Sequence, residues 1–416
     1  MKVKIKTIFS LSILQGANYI APLLILPYLA NTLGSSTFGD FALAISISQI
    51  FIIITDYGFN LTGSKDASLL KNNKKELTLL YSTITTIKAA FLVGGFIITT
   101  PIYLLVSPFK NDPQIYISAY AIVLGSAIFP LWIFQGTEHL KGAMIAMVIG
   151  RMISITGVFT LVHTASDAGT AGLLYGSSGI IAYLLSRRSL KHLLAGEKFT
   201  YPSIENIKLS LKNGLNVFLS NLYINSYTTS NSIMLGLLQD PKSAGYFHLA
   251  EKFTKIAIFI FQPITQAFYP KACIAAKEGV DKLMEINKLY LKITLPAVIV
   301  LSLLMIAFSE TAIEMLFDNT YAEVSIIIKL LAVLPIINVL SHSLSTLTLI
   351  PTGESKIFSQ IYLAACFFNI PIFATLSLKF SGAGAAVANV LTETAVLTLL
   401  IIITIKKNIS PITKNH

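Results

Sequence analysis

The sequence predicts an all-α polytopic membrane protein with about twelve transmembrane helices in two pseudo-symmetric six-helix bundles. Three observations support this fold class: 54% of the 416 residues are hydrophobic, only 12% are charged, and the mean hydropathy is +0.71. Soluble globular proteins carry about 25% charged residues. A chain with half that fraction has too few polar side chains to cover a soluble surface, so we expect most of it to lie in lipid.

The predicted helices are apolar stretches long enough to cross a bilayer, which takes about 20 residues. By this rule the spans are residues 7–33, 38–63, 78–106, 114–135, 142–163, 169–186, 213–238, 244–270, 288–309, 322–347, 356–378 and 383–405. The longest break, "SRRSLKHLLAGEKFTYPSIENIKLSLK", follows the sixth span. We therefore predict an N-terminal bundle at 1–190, a cytoplasmic basic linker at 191–212 and a C-terminal bundle at 213–416.

Basic residues predict the orientation of these spans, because loops that stay in the cytoplasm are enriched in Lys and Arg. With the N-terminus inside, the inner segments hold 22 basic residues, whereas the outer loops hold only Lys110, Lys242 and Lys379. This split predicts that both termini are cytoplasmic. It also accounts for most of the net charge of +11, so nucleic acid is not an expected partner.

The two halves of the chain echo each other in sequence. Span two opens with "GDFALA" at 39–44, and span eight opens with "GYFHLA" at 245–250. Six spans per half is an even number, so corresponding spans run in the same direction across the membrane. This pattern predicts parallel repeats with a substrate site in a cleft between the two halves.

When this alignment of the two halves is continued, the charged residues of span eight correspond to uncharged residues of span two. His248, Lys252 and Lys255 share one helical face, and Glu251 lies one turn before Lys255. Placing an ionisable side chain at membrane depth costs about 2.5–3.5 kcal/mol. We therefore expect this face to line a water-filled cavity and to receive an anion.

Other ionisable residues also lie within the spans. Arg151 is near the middle of span five and Glu393 near the middle of span twelve, whereas Lys292 is close enough to the inner edge to reach water. Asp56 and Lys88 lie on adjacent spans, where they either serve a transport pathway or pair with each other. The candidate substrate-binding residues are Arg151, Lys252, Lys255, His248 and Lys88, and the candidate ion-coupling residues are Glu393, Asp56 and Glu251.

The sequence lacks the residue patterns of an enzyme, a metal site or a cofactor site. Cys273 and Cys366 are far apart, and the histidines do not cluster with cysteines or acids in metal-ligand spacing. No phosphate-binding Walker loop is present. We therefore predict a transporter with no catalytic residues, no metal and no cofactor.

Prolines inside the spans indicate where the helices can bend, because each one removes a backbone donor. The positions are Pro22, Pro27, Pro130, Pro263, Pro296, Pro335 and Pro371. Such prolines support conformational movement rather than chemistry.

Four stretches of the chain resemble a known family. They are "NYIAPLLILPYLANTLGSSTFGDFAL", "TDYGFNLTGSKDAS", "FPLWIFQGTEHLKG" and "FQPITQAFYPKA". The chain resembles the polysaccharide-biosynthesis transport family, and in particular the Wzx-type O-antigen flippases of the multidrug/oligosaccharidyl-lipid/polysaccharide exporter superfamily. This resemblance covers nearly the whole chain and implies a location in the bacterial inner membrane.

The same resemblance implies a cargo and a set of partners. The cargo would be an undecaprenyl-diphosphate-linked oligosaccharide repeat unit, moved from the cytoplasmic to the periplasmic leaflet by alternating access through a cationic cavity. Arg151, Lys252 and Lys255 fit such a cavity. A counter-ion, H⁺ or Na⁺, and an assembly with the O-antigen polymerase are left open.

Two other functions remain as alternatives. A cation-coupled multidrug antiporter of the same superfamily would favour acidic residues in its cavity, because its usual cargo is cationic. A membrane polysaccharide polymerase, which is an enzyme, would be expected to carry large outer loops with basic catalytic residues. Here basic residues outnumber acids six to three within the spans, and the outer loops are short, so the flippase is favoured.

Overall fold

The computed structural model describes residues 5–106, 109–228 and 230–409, without the side chains of residues 5–23 and of a few later positions. Within these ranges the regular secondary structure is entirely helical. Eight helical segments of the described chain are long and apolar enough to cross a membrane, and two of them each contain parts of two predicted spans. The predicted fold class is confirmed. Lys2, Lys4 and Lys414, which count toward the predicted orientation, lie outside the described residues.

The chain divides into two compact units, Met1–Asn225 (unit 1) and Ser226–His416 (unit 2). The first six predicted spans correspond to α1 (Ile5–Asp56), α2 (Phe59–Leu70), α3 (Lys74–Leu105), α4 (Pro113–Ile128), α5 (Leu131–Gly136), α6 (Leu140–Leu161) and α7 (Ala168–Leu193). The last six correspond to α8 (Ile204–Thr228), α9 (Ser230–Leu238), α10 (Pro241–Phe259), α11 (Gln262–Glu278), α12 (Val280–Leu316), α13 (Ala322–Leu331), α14 (Leu334–Leu344) and α15 (Ser355–Lys406).

Two pairs of spans are joined by sharp bends rather than by loops. Spans one and two form the single element α1, whose backbone departs from helical geometry at Gly34, with φ 75° and ψ 161°. Glycine suits this position because an L side chain clashes at positive φ. Spans eleven and twelve are joined in the same way within α15 at Ser381, with φ 49° and ψ −130°.

Breaks inside spans four, eight and ten fall at prolines. Pro130 lies between α4 and α5, Pro263 opens α11, and Pro335 opens α14. Pro296 and Pro371 instead lie inside the continuous helices α12 and α15. A proline removes one backbone donor and so permits a break, but the packing around it decides whether the helix breaks.

α7 packs closely against α4 through glycines. A Cβ atom at Gly176 would lie 2.5 Å from the carbonyl carbon of Ala121, and one at Gly179 would lie 2.6 Å from the carbonyl carbon of Gly125. Real side chains do not tolerate such distances. Small residues therefore set the separation of these helices, as is common in membrane bundles.

α8 is fastened to unit 1 before the chain enters unit 2. Ile207 and Leu211 pack on the main apolar core of unit 1. The rings of Tyr57 and Phe218 stack with their centroids 4.6 Å apart. Because of these contacts the compact units divide at residues 225 and 226, beyond the predicted linker at 191–212. The assignment of functional domains to 1–190 and 213–416 stays a prediction.

The glycine contact predicts a large difference between two alanine substitutions. Gly176→Ala should lower the free energy of unfolding of the purified protein by about 1–3 kcal/mol, because the new methyl group forces α4 and α7 apart. Gly94→Ala, in a helix with nothing within 4 Å of the new atom, should be neutral or stabilising by about 0.5–1 kcal/mol. Thermal unfolding in detergent measures both, and equal effects would contradict the close packing.

Candidate functional site

The charges of "AEKFTK" lie on α10, which unit 2 largely encloses. α10 packs against α9, α13, α14 and α15. His248 and Glu251 are buried, whereas Lys252 and Lys255 are half-buried. The assignment of this face to a water-filled cavity stays a prediction.

The start of α10 holds these residues in register. Asp240 caps the helix, because its carboxylate accepts a hydrogen bond from the amide of Ser243 at 2.8 Å, and Pro241 occupies the first helical turn. The following "GYFHLA" is buried against neighbouring helices. Its packing fixes the rotation of α10 and hence the direction of the charged face.

The charged residues of α10 form one electrostatic group. Lys255 Nζ lies 2.8 Å from Glu251 Oε1, one helical turn away. Lys252 and Lys255 both act electrostatically on His248. Two lysines against one carboxylate leave a positive charge, and ammonium groups form strong charge-assisted hydrogen bonds with phosphate oxygens.

Arg151 lies half-buried on α6, on the side that meets α7. Its charge acts electrostatically on the hydroxyl of Tyr175, a residue of α7. The neighbouring Gly150 lets the helices approach, since a Cβ atom there would lie 3.1 Å from the amide nitrogen of Ala182. Arg151 thus lies in unit 1, beside a close contact between α6 and α7.

The structure brings Asp56 and Lys88 together. Lys88 Nζ lies 3.1 Å from Asp56 Oδ1, and the two side chains are only 5% and 14% exposed. The pair joins the end of α1 to the middle of α3 inside unit 1. Of the two alternatives that the sequence left open for these residues, pairing is therefore what the structure shows.

The third candidate ion-coupling acid has different surroundings. Glu393 is half-buried on α15 and acts electrostatically on Tyr362 of the same element. The preceding residue, Thr392, accepts a hydrogen bond from the side-chain amide of Asn369 at 3.0 Å. Glu393 therefore belongs to a polar region of α15, whereas Asp56 and Glu251 each contact a lysine.

Lys292 and Lys329 lie nearer the surface of unit 2. Lys292 is exposed on α12. Lys329 forms an exposed ion pair with Glu310. Both positions are compatible with lysines that reach toward the membrane–water boundary.

A hydrogen bond donated by a tyrosine hydroxyl occurs in both units and was not predicted from the sequence. In unit 1 the hydroxyl of Tyr116 donates to Asp40 Oδ1 at 2.7 Å. In unit 2 the residue that corresponds to Asp40, Tyr246, donates instead to the carbonyl of Thr320. Burial raises the pKa of the adjacent Tyr321. The segments "FKND" (109–112) and "FDNT" (317–320) echo each other in sequence, but of their residues only Thr320 takes part in these two hydrogen bonds.

A second missed feature is a buried polar network in unit 2. The amide of Asn287 donates to the carbonyl of Leu347 and to the hydroxyl of Thr348, both at 3.2 Å, and Ser343 donates back to Asn287 at 2.9 Å. These residues carry no sequence signal, because Ser and Thr are common in membrane helices. Among the described residues no group of His, Cys, Asp and Glu could hold a metal ion.

Comparison with known sequences identifies relatives along nearly the whole chain. The sequence profile described as "Polysaccharide biosynthesis protein" matches residues 5–272. The protein named "Putative O-antigen transporter" in Escherichia coli (strain K12) is 28% identical over 398 residues, which cover 95% of each chain. A protein of the same name in Shigella dysenteriae is 26% identical over 407 residues, covering 96% of this chain and 100% of the relative.

Solved structures share the fold. The lipid II flippase MurJ in an inward closed conformation matches with a TM-score of 0.73 at 16% identity, over 95% of this chain and 87% of that one. An inward-facing multidrug resistance transporter of the MATE family matches with a TM-score of 0.68 at 17% identity, over 94% and 99%. At such identities the likeness shows the fold alone. Because the profile covers more than half of the sequence, the chain belongs to the polysaccharide biosynthesis protein family.

Proposed function

We propose that this protein is a flippase for a polyprenyl-diphosphate-linked oligosaccharide of the O-antigen repeat-unit type. It moves this lipid from the cytoplasmic to the periplasmic leaflet of the bacterial inner membrane by alternating access. The names of the two curated relatives support the cargo class. The observation that carries the proposal is the positively charged group on α10, in which two lysines accompany one glutamate on a helix enclosed by apolar neighbours.

A diphosphate suits such a group because it carries about two negative charges and several acceptor oxygens. Lysine ammonium groups bind it as point charges, and the guanidinium of Arg151 can bind two of its oxygens at once. In the absence of cargo, Glu251 compensates Lys255 at 2.8 Å, which limits the cost of keeping the ammonium group within the membrane. The diphosphate then competes with Glu251 for that lysine.

Outward movement of the headgroup is favoured by the membrane potential. Each negative charge that crosses from the negative inside gains about 2.3 kcal/mol per 100 mV. The polyprenyl tail stays in the hydrocarbon, so the protein has to enclose only the sugar and the diphosphate. The membrane potential can therefore drive the flippase without nucleotide hydrolysis.

The orientation and the counter-ion belong to the same proposal. Both termini would be cytoplasmic, as the distribution of lysines and arginines predicts. A counter-ion, H⁺ or Na⁺, would act at Glu393, Asp56 or Glu251. At Asp56 and Glu251 its binding must displace a lysine, because each of these carboxylates already pairs with one.

Deleting the gene should cause the lipid-linked oligosaccharide to accumulate in the cytoplasmic leaflet. In vesicles reconstituted with the purified protein, a labelled lipid-linked oligosaccharide should become accessible to a sugar-modifying enzyme added on the opposite side. Protein-free vesicles are the control. Normal export in the deletion strain, or proton-coupled efflux of cationic dyes without movement of the lipid, would favour the antiporter instead.

Arg151→Ala should reduce transport by about 10- to 100-fold, because one charged hydrogen-bonding partner contributes about 1.5–3 kcal/mol. Arg151→Lys should restore part of the activity, since it keeps the charge but loses the two-oxygen contact. The matched control is Arg188→Ala, which removes an exposed arginine of α7. Full activity of Arg151→Ala at normal abundance would remove this residue from the site.

Replacing both Lys252 and Lys255 with glutamine should leave membrane insertion intact but lower transport by at least about tenfold. Lys292→Gln, which removes an exposed lysine of α12, should be nearly silent. The measurement is export of the lipid-linked unit at matched protein levels. If the double variant and Lys292→Gln export equally, the charges of α10 serve packing or orientation rather than binding.

A further inference from the structure

The two units break corresponding spans at corresponding places. The register that aligns Gly39 with Gly245 also aligns Asp56 with Gln262. In unit 1, span two breaks after Asp56, where α1 ends. In unit 2, span eight breaks just before Gln262, where α11 begins. The two breaks lie within about one helical turn of each other in the aligned register.

The polar residues at these breaks have different partners. Asp56 is neutralised by Lys88, which reaches it from the neighbouring span three. Gln262 is uncharged, and its Oε1 atom is buried with no hydrogen-bond partner among the described residues. A buried acceptor without a partner costs about 1–3 kcal/mol, so we expect Gln262 Oε1 to accept a hydrogen bond from a bound molecule.

A small cavity lies at the break in span eight. Its volume is ≈ 30 Å³, and its polar lining consists of Gln262, Thr265, Tyr290, Asn338 and His342. The hydroxyls of Thr265 and Tyr290 hydrogen-bond each other at 2.9 Å. A water molecule needs about 10–15 Å³ of such space and two to four polar partners. The cavity therefore has room and partners for one or two waters.

The chemistry of the lining favours a neutral ligand over a cation. The residues that line the cavity include no carboxylate. The charged residues that precede it on α10 are Lys252, Lys255 and a single glutamate already paired with Lys255. A dehydrated cation would meet neutral groups and nearby positive charge there, whereas water can both donate to Gln262 and accept from other side chains.

We propose that unit 2 binds one or two water molecules at the break in span eight, held by Gln262 Oε1 together with polar side chains of α12 and α14. This water takes the place that the Asp56–Lys88 pair occupies in unit 1. Ordered water commonly satisfies the groups freed where a membrane helix is interrupted. The water site lies within unit 2, and its occupation does not depend on the identity of the cargo.

Radiolytic hydroxyl labelling of the purified protein tests the proposal directly, because a buried side chain is oxidised only when water lies beside it. Tyr290 is fully buried in this cavity, and Trp132 is equally buried in the apolar core of unit 1. We expect labelling of Tyr290 but not of Trp132. Gln262→Met should reduce the Tyr290 signal to the level of Trp132. A wild-type Tyr290 signal no higher than that of Trp132, or an unchanged signal in the variant, would overturn the proposal.

Thermal unfolding gives an independent readout. If water satisfies Gln262, Gln262→Met loses that bond and lowers Tm by about 2–4 °C, whereas a dry acceptor would make the same variant more stable. Ser302→Ala is the control, because Ser302 Oγ is also buried without a partner in the described chain but does not line this cavity; its Tm should not fall. A rise in Tm with Na⁺ that Gln262→Met abolishes would overturn water in favour of a cation.

Discussion

A polar group inside hydrocarbon must find its partner within the protein, and this constraint governs both units. It makes the regular secondary structure of the described residues entirely helical, since a helix satisfies its own amides. It also turns side-chain hydroxyls back onto their own helix, as when Thr254 donates to the carbonyl of Ala250 at 3.0 Å. Within the spans the same requirement places Lys88 against Asp56 and Lys255 against Glu251. On α10, Thr254 and Glu251 therefore have their hydrogen-bonding and ionic partners within the protein itself.

Much of the fold follows from composition and from the length of the apolar runs. The number and order of the spans depend only on how many residues cross a bilayer, and the described chain has helices at all twelve predicted positions. The helices at 213–238 and 244–270 are not among the eight segments of the described chain that are long and apolar enough to cross a membrane. The bends at Gly34 and Ser381 could not be read in advance, because glycine and serine are frequent in these spans and only tertiary packing selects the residue that leaves helical geometry. The end of unit 1 could not be predicted either, because it depends on the stacking of Phe218 on Tyr57, which attaches α8 to unit 1.

The contacts of the candidate site could be predicted where helical spacing sets them, but not where they depend on how neighbouring helices pack. Helical spacing was enough to place Lys255 beside Glu251. The contact between Asp56 and Lys88 could be offered only as one of two alternatives, because adjacent spans have no fixed rotation in sequence. The cavity beside Gln262 could not be predicted from the sequence, since it forms where four helices, α10, α11, α12 and α14, meet at a break.

The two lysine–carboxylate pairs differ in how readily an arriving anion can exchange them. Asp56 and Lys88 join different helices and are only 14% and 5% exposed, so removing one partner would strand a buried charge at a cost of about 3–5 kcal/mol. Glu251 and Lys255 lie one turn apart on one helix, and Lys255 is 30% exposed. Because both residues lie on the same helix, Lys255 can turn toward an anion by rotation of its own side chain, without movement of a neighbouring helix. Lys88, in contrast, is held by the fold of unit 1.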